Sequence, residues 1–389
     1  MTAIELKYGC NPHQAPANVS VPAGSGFQVL SGTPSYINLL DALGAWQLVH
    51  ELKAATGKPS ATSFKHTSPA GAAVAGSLSG AYRASQFLAS ADLSPVANAY
   101  VRARGGDRLC SFGDVAAVSE VVDLSLARVL CDEVSDLVIA PGYEPEALEL
   151  LRSKRSGAYL VFQIDPAYEA PETERREVFG FTLHQRRNTA VISCDLLEAG
   201  LPAGQTMPAD VVETLLVATI ALKYTQSNSV CLAFDGQVIG MGAGQQSRVH
   251  CTRLACEKAD KWLLQQHPKT LALRFAAGLS KPQMTNIVDQ FLLWDSLSEI
   301  EKGKVRAGLA GDPVPITSQE RLDWAQGFDG ICLSSDAFLP FADNLDRAAR
   351  SNVRFVAQAG GSLRDDEVTA AAEQYGMTMV HTGLRLFLH

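Results

Sequence analysis

The stretch "SFKHTSPAGAA" (63–73) sets two titratable side chains, Lys65 and His66, between strand-forming residues and a row of small ones. "ATSFKH" reads as a strand, and "PAGAAVAG", rich in alanine behind Pro69, predicts the opening of a helix. Strand, small-residue turn and helix recur at "VIGMGAGQQSRVH", so the chain reads as α/β with two halves that share one arrangement. A strand-to-helix joint exposes side chains at a sheet edge and turns free helix N–H groups toward whatever binds there.

The flanking text supports that class. Apolar residues recur at helical spacing over 39–54 (Leu39, Leu40, Leu43, Trp46, Leu52). "DLSLARVLCDEV" and "EPEALELLRSK" read as helices, "DLVIAP" and "AYLVFQI" as strands. Polar, proline-containing text near 165–200 predicts a break, giving domains over 1–195 and 196–389. In the second, the pattern predicts a helix over 209–223, a hairpin "SVCLAFDGQVIGMG" turning at Asp235-Gly236 and a long helix from about 245. A helical insert over about 280–327 and strands at "GICLSS", "VRFVAQA" and "MTMVHT" follow.

At 389 residues the chain has room for two cores, each able to bury about two thirds of its unfolded surface. Apolar residues make up 47 % and charged ones 19 %, yet no apolar run approaches the roughly 18 residues of a membrane span. "LLVATIAL" (215–222) reads as buried helix. No basic segment followed by an apolar one opens the chain, so the cytoplasm is the expected compartment. The eight cysteines form no CxxC pair and read as reduced core thiols. A net charge of -8 argues against nucleic-acid or membrane partners and leaves an anionic ligand to a few basic groups in a cleft.

A cationic Lys65 favours neutral imidazole at His66, so His66 can accept a proton while Lys65 stays charged for an oxyanion. An arbitrary Lys-His pair is ordinarily a surface pair without a role; here Pro69, Ala70 and Gly71 are small enough to let a ligand reach the backbone. "GMGAGQQSR" carries Gly240, Gly242 and Gly244 at a spacing that fits neither a dinucleotide nor a Walker loop. Arg248, one turn into the next helix on this reading, suits a two-pronged grip on a phosphate or carbonyl. The polar string "KYTQSNSVC" (223–231) enters a buried strand, where it either bridges structure or lines a cleft. No GxxxxGK[ST], HExxH or HxE with PCxxC occurs, which argues against an ATP loop and against zinc.

Together with "KYGCNPHQ", "SFGD", "EVSD", "APGYE", "GAGQQSRVHCTRLA", "SDAFLPFADNLDRA" and the terminal "HTGLRLFLH", these stretches resemble the AICAR transformylase part of the bifunctional purine-biosynthesis family, in order and from residue 7 onward. The resemblance implies a formyltransferase moving a formyl group from 10-formyltetrahydrofolate, its co-substrate, to the 5-amino group of AICAR. It implies two duplicated cytidine-deaminase-like α/β/α domains without zinc and a homodimer with active sites at the interface. With no IMP cyclohydrolase segment ahead of it, the chain is expected to act with a separate cyclohydrolase.

By the same resemblance His66 is the proton acceptor, Lys65 stabilises the transition state and Asn228 aligns the formyl oxygen or the nucleotide's amide. Lys7, Tyr8, Asn38, Gly113, Asp136, Arg248, Phe338 and Arg385 match nucleotide-holding positions. Val249, Asp343, Ser362 and Leu363 match the folate side, and Thr225, Ser227, Ser229 and Asp336 a potassium site. Lys7 stands where the family has arginine, which keeps the charge and loses the bidentate bond; "AQAGGS" departs from a proline-containing loop ahead of Ser362 and Leu363. A non-catalytic purine-nucleotide or folate binder is the alternative, against which the retention of Lys65, His66 and Asn228 speaks.

Overall fold

The computed structural model describes residues 2–88 and 92–389. A ribbon of β1 (Thr2–Leu6) and β2 (Ala17–Val21) precedes β3 (Gln28–Ser31) and the long helix α1 (Tyr36–Thr56). The hairpin β4 (Ser60–Lys65) and β5 (Ser68–Val74) leads to α2 (Gly80–Ser85), α3 (Pro95–Gly105), β6 (Asp114–Val118), α4 (Leu124–Asp132), β7 (Ser135–Ala140), α5 (Pro145–Ser153) and β8 (Leu160–Gln163). The polar region beyond carries an exposed hairpin, β9 (Thr173–Val178) with β10 (Phe181–Arg186), and α6 (Cys194–Ala199). Next come α7 (Ala209–Lys223), a second hairpin, β11 (Val230–Phe234) with β12 (Gln237–Gly242), and α8 (Arg248–Gln265). Four helices form the insert around Phe291 and Trp294: α9 (Pro268–Leu271), α10 (Lys281–Leu292), α11 (Glu299–Ala307) and α12 (Ser318–Ala325). The chain closes with β13 (Ile331–Ser335), α13 (Asp343–Arg350), β14 (Val353–Gln358), α14 (Asp365–Gln374) and β15 (Thr378–His381).

Eleven strands make one mixed sheet in the order β15-β14-β13-β11-β12-β5-β4-β6-β7-β8-β3. Its midline is the antiparallel meeting of β12 and β5 at Gln237 and Ala73. Outward from it each side repeats a hairpin, an antiparallel neighbour and two parallel strands. Both hairpins close through two residues of positive φ, His66-Thr67 (55° and 59°) and Asp235-Gly236 (48° and 68°), the sign pattern of a type I′ turn. Both shift register at the matching step, Ser63/Phe64 and Leu232/Ala233. At matching positions Gly71 and Gly240 meet a helix, and a Cβ on either would overlap a carbonyl oxygen, of Ala103 in α3 or Ala255 in α8.

"PAGAAVAG" is therefore strand, not the opening of a helix. Alanine's helix preference is worth less than about 1 kcal/mol per residue. Helices α1 and α3 press on the two faces of β5, where Ala72 joins one core and Ala73 the other, and only small side chains fit between them. The internal repeat expected from "SFKHTSPAGAA" and "VIGMGAGQQSRVH" is thus shifted: hairpin matches hairpin, and the step β5 to α3 matches β12 to α8.

Helices α1 and α7 lie on one face over a shared apolar core that includes Leu48, Leu52, Leu215, Leu216, Phe64 and Cys231. On the other face α3, α4 and α5 cover the first half, and α8, α13 and α14 the second. All of "LLVATIAL" is buried within α7. The cysteines are free, but core thiols describes only Cys231, Cys251, Cys256 and Cys332; Cys10 and Cys194 are exposed, on a loop and at the start of a short helix. No helix among the described residues is long and apolar enough to cross a membrane.

Gly71→Ala is expected to lower the unfolding free energy by about 1–3 kcal/mol, because the added methyl must displace helix backbone rather than a pliant side chain. A urea midpoint equal to that of the native chain would show that α3 yields freely.

Candidate active site

Lys65 ends β4, and His66 and Thr67 make the turn, so no helix begins here and no helix N–H groups face the pair. Pro69 and Ala70 are buried and Gly71 is covered by α3, so these small residues admit a helix and not a ligand. Left-handed backbone at two residues with side chains costs roughly 1 kcal/mol or more each. Asp41 of α1 offsets that cost: its buried carboxylate accepts the Thr67 N–H at 2.7 Å. Burial pushes the Asp41 carboxyl above its usual range, against the pull of the Thr67 and His66 N–H groups and the charges of His66 and Lys65. His66 stands exposed at the tip, while Lys65 Nζ is anchored on the Phe112 carbonyl at 2.6 Å.

A buried charge network fixes the loop that carries Phe112. Arg104 donates to Ser111 O (2.7 Å), to Asp114 Oδ1 (2.8 Å) and to Glu133 Oε2 (3.2 Å), and Ser63 Oγ lies 2.7 Å from Asp114 Oδ2. Gly113 follows with φ of 74°, beside Asp136, whose carboxylate pairs with Arg155 at 2.7 Å. Lys7 and Tyr8 are tied to the start of α1 through Lys7 N–Pro34 O (2.9 Å) and Tyr36 N–Tyr8 O (3.0 Å). Asn38 commits its Oδ1 to Ser35 N and Oγ, the capping box of the same helix. Lys7, Tyr8, Asn38, Lys65, His66, Gly113 and Asp136 therefore belong to one group, held by α1 and the loop before β6.

A second group gathers where β11 begins. Arg248 is the first residue of α8, not one turn in, and it is buried. Its Nη2 donates to Asn228 Oδ1 (2.9 Å), and its Nη1 to Ser229 O (2.9 Å) and to Asp336. Fully buried Asp336 also accepts Ser227 Oγ (2.7 Å), Ser229 N (2.9 Å) and Ser229 Oγ (2.9 Å). The polar string thus answers a buried carboxylate. The C-terminal segment lies across it, with Leu386 N on Asp336 O (2.8 Å), Ser227 N on Leu388 O (3.0 Å), and Arg385 stacked 4.9 Å from the Phe387 ring centre.

Val249 adjoins Arg248 on α8, whereas Phe338, Asp343 and Leu363 are exposed beyond the ends of β13 and β14. Asp343 Oδ1 accepts Asn344 Nδ2 (3.0 Å) and Ser362 Oγ accepts Arg364 N (3.1 Å); neither bonds to His66 or Asn228. Ser227, Ser229 and Asp336 offer the oxygen donors a monovalent cation takes. Thr225 Oγ1, however, bonds back to Ala221 O (2.7 Å), and the Arg248 guanidinium already neutralises Asp336. As arranged, the Arg248 guanidinium takes the place a cation would have on Asp336.

One hydrogen bond, Gln226 N to Ser68 Oγ (3.2 Å), links the two groups at a common edge of the sheet. Among the described residues no hydrogen bond or ion pair joins Lys65 or His66 to Asn228, Arg248 or Asp336. Sequence reading passes over Asp41 and the Phe112 carbonyl. For Asp41 a signal exists: a carboxylate beside Leu39, Ala42 and Ala45 on the buried face of a helix is rare unless it holds something.

A three-layered α/β arrangement repeated across one sheet thus carries a Lys-His turn in its first half and an Asn-Arg-Asp cluster in its second. The chain belongs to the AICARFT/IMPCHase bienzyme family, whose model matches residues 1–258. Over its whole length it is similar to the bifunctional purine biosynthesis protein PurH of Roseobacter denitrificans (32 % identical over 397 residues) and of Sorangium cellulosum (30 % over 400 residues). Over 99 % of its length it is similar to the protein of that name from Magnetococcus marinus, at 29 % identity. The chain spans 60 %, 59 % and 59 % of the lengths of these three proteins.

Asp41→Ala is expected to lose the turn's anchor and about 1–3 kcal/mol of stability, while Asp41→Asn keeps an acceptor for Thr67 N–H. Because burial raises the Asp41 pKa, the contribution of Asp41 to stability is fullest below the ordinary value of 3.8 and is lost as pH rises through the folded value. Asp41→Asn abolishes that slope, so its stability relative to the native chain should climb with pH in urea titrations. Parallel curves for the two would mean that folding leaves the Asp41 pKa where it was.

Proposed function

We propose that this chain transfers a formyl group from 10-formyltetrahydrofolate to the 5-amino group of AICAR, a step of purine biosynthesis, in the cytoplasm. A bond forms between the amine nitrogen and the formyl carbon, the bond from that carbon to the folate nitrogen breaks, and the folate nitrogen gains a proton. The amine's lone pair is delocalised into an imidazole carrying a carboxamide, so attack needs a base; exposed His66 fits that task. Negative charge on the formyl oxygen is met by Lys65 or the Asn228 amide, each preorganised donor lowering the barrier by about 3 kcal/mol. Arg248 and Arg385, one buried and one exposed beside the Phe387 ring, suit the nucleotide's anionic end.

The observation that carries this reading is the Lys65-His66 turn, held on one side by Asp41 and on the other by Phe112, at the sheet edge that also bears Asn228 and Arg248. Family membership supports it. A homodimer is part of the reading, in which a second copy completes the site at this shared edge. Apolar residues left exposed, Tyr36, Leu40 and Leu43 along α1 and Phe179, Phe181 and Leu183 on the outlying hairpin, give such a copy its contact surface. Folate would lie along Val249, Asp343, Ser362 and Leu363, and potassium would rest on Ser227, Ser229 and Asp336; ring closure falls to an IMP cyclohydrolase.

His66→Ala is expected to lower formyl transfer by about a hundredfold or more while AICAR binding, followed calorimetrically, stays within a few fold. Tetrahydrofolate release measured by absorbance checks it. Undiminished turnover in the variant removes His66 from the chemistry, and absence of turnover in the native protein leaves a nucleotide or folate binder.

A further inference from the structure

The repeat across the sheet has a second counterpart to the Lys-His turn: Asp235-Gly236, which lies at the opposite edge, against the end of β5. At that place is a cavity of ≈ 430 Å³ lined by Tyr82, Phe234, Trp262 and Phe328, with Gln237 and Gln266 between them. The size suits a small molecule, for which pockets run about 300–1,000 Å³. The four rings form one continuous cluster, with centroids 5.6 to 6.2 Å apart.

The charge at this edge is the reverse of that at the first. Asp210, Asp235 and Asp329, all exposed, contribute carboxylates to the lining. Among the described residues of the lining the one cation, Arg102, is buried and committed to Val74 O and to Asp235. Two further side chains lack a partner for an acceptor. Gln237 and Gln266 are 2 % and 6 % exposed; their amide nitrogens bond to Tyr82 Oη, Arg102 O and Trp262 O, and among the described residues neither Oε1 accepts a hydrogen bond, while the buried Trp262 Nε1 donates none. Amide oxygens free of protein donors in the lining, aromatic faces and a carboxylate rim are complementary to an organic cation.

We propose that this cavity is a second ligand site, separate from the formyl-transfer site, that takes a small organic ammonium ion with an apolar body. Ammonium N–H groups donate to the Gln237 and Gln266 oxygens, the aspartates balance the charge, and the body lies against the rings.

The test titrates the purified protein with phenylethylammonium by calorimetry, beside phenylethanol, which lacks the charge, and phenylacetate, which reverses it. The ammonium is expected to bind, the alcohol about tenfold more weakly and the acetate not measurably. Asp329→Asn, on the surface and safe for folding, and Gln266→Leu should each weaken the ammonium about fivefold or more and leave formyl transfer unchanged. Saturating AICAR should leave the ammonium affinity as it was. Equal affinity for ammonium and alcohol, insensitivity to both substitutions, or displacement by AICAR would each overturn the proposal.

Discussion

Gly71 and Gly240 bring helix backbone against strand backbone on either side of the midline of the sheet, and the geometry of the site follows from that contact. With no Cβ in the way, α3 and α8 settle on the two central hairpins, and the hairpins can then pair back to back through β5 and β12. Since those two strands run antiparallel, the closed end of one hairpin is brought beside the open end of the other. The His66 turn thereby reaches the neighbourhood of Val230 and Gly242, where Asn228 and Arg248 are held. Residues some 160 positions apart share an edge because of strand direction, not because of any attraction between them.

Charge buried beneath the two groups serves position more than stability. The pairs Arg104–Asp114 and Arg248–Asp336 are almost wholly enclosed. Such pairs add little net free energy, since desolvation consumes most of the attraction, but losing one partner costs about 3–5 kcal/mol. What they secure is the path of two short segments, 111–113 and 227–229, each of which presents a backbone carbonyl or an amide at the edge of the sheet.

Much of this was legible in the sequence, and the reason is locality. Helix 209–223, the turn at Asp235-Gly236 and the helical insert depend on periodicity and turn chemistry within a few residues of themselves, and they stand where the pattern puts them. The segment after Pro69 failed for the opposite cause: alanine's small size was demanded by two helices packed from far along the chain, which no local window contains. The Lys-His pair and Asn228 stood out by motif. The division of the candidate residues into two groups depends on strand order, and the anchoring of Lys65 on Phe112 depends on a loop 47 residues away. Neither is encoded near the residues concerned.

The layer shared by α1 and α7 ties the two halves thermodynamically. Leu48, Leu52, Leu215 and Leu216 belong to one apolar cluster that touches strands of both halves, so loosening either half strips a wall from the other. Each half keeps a core of its own on the other face, so the shared layer couples the unfolding of the two halves without making either wholly dependent on the other.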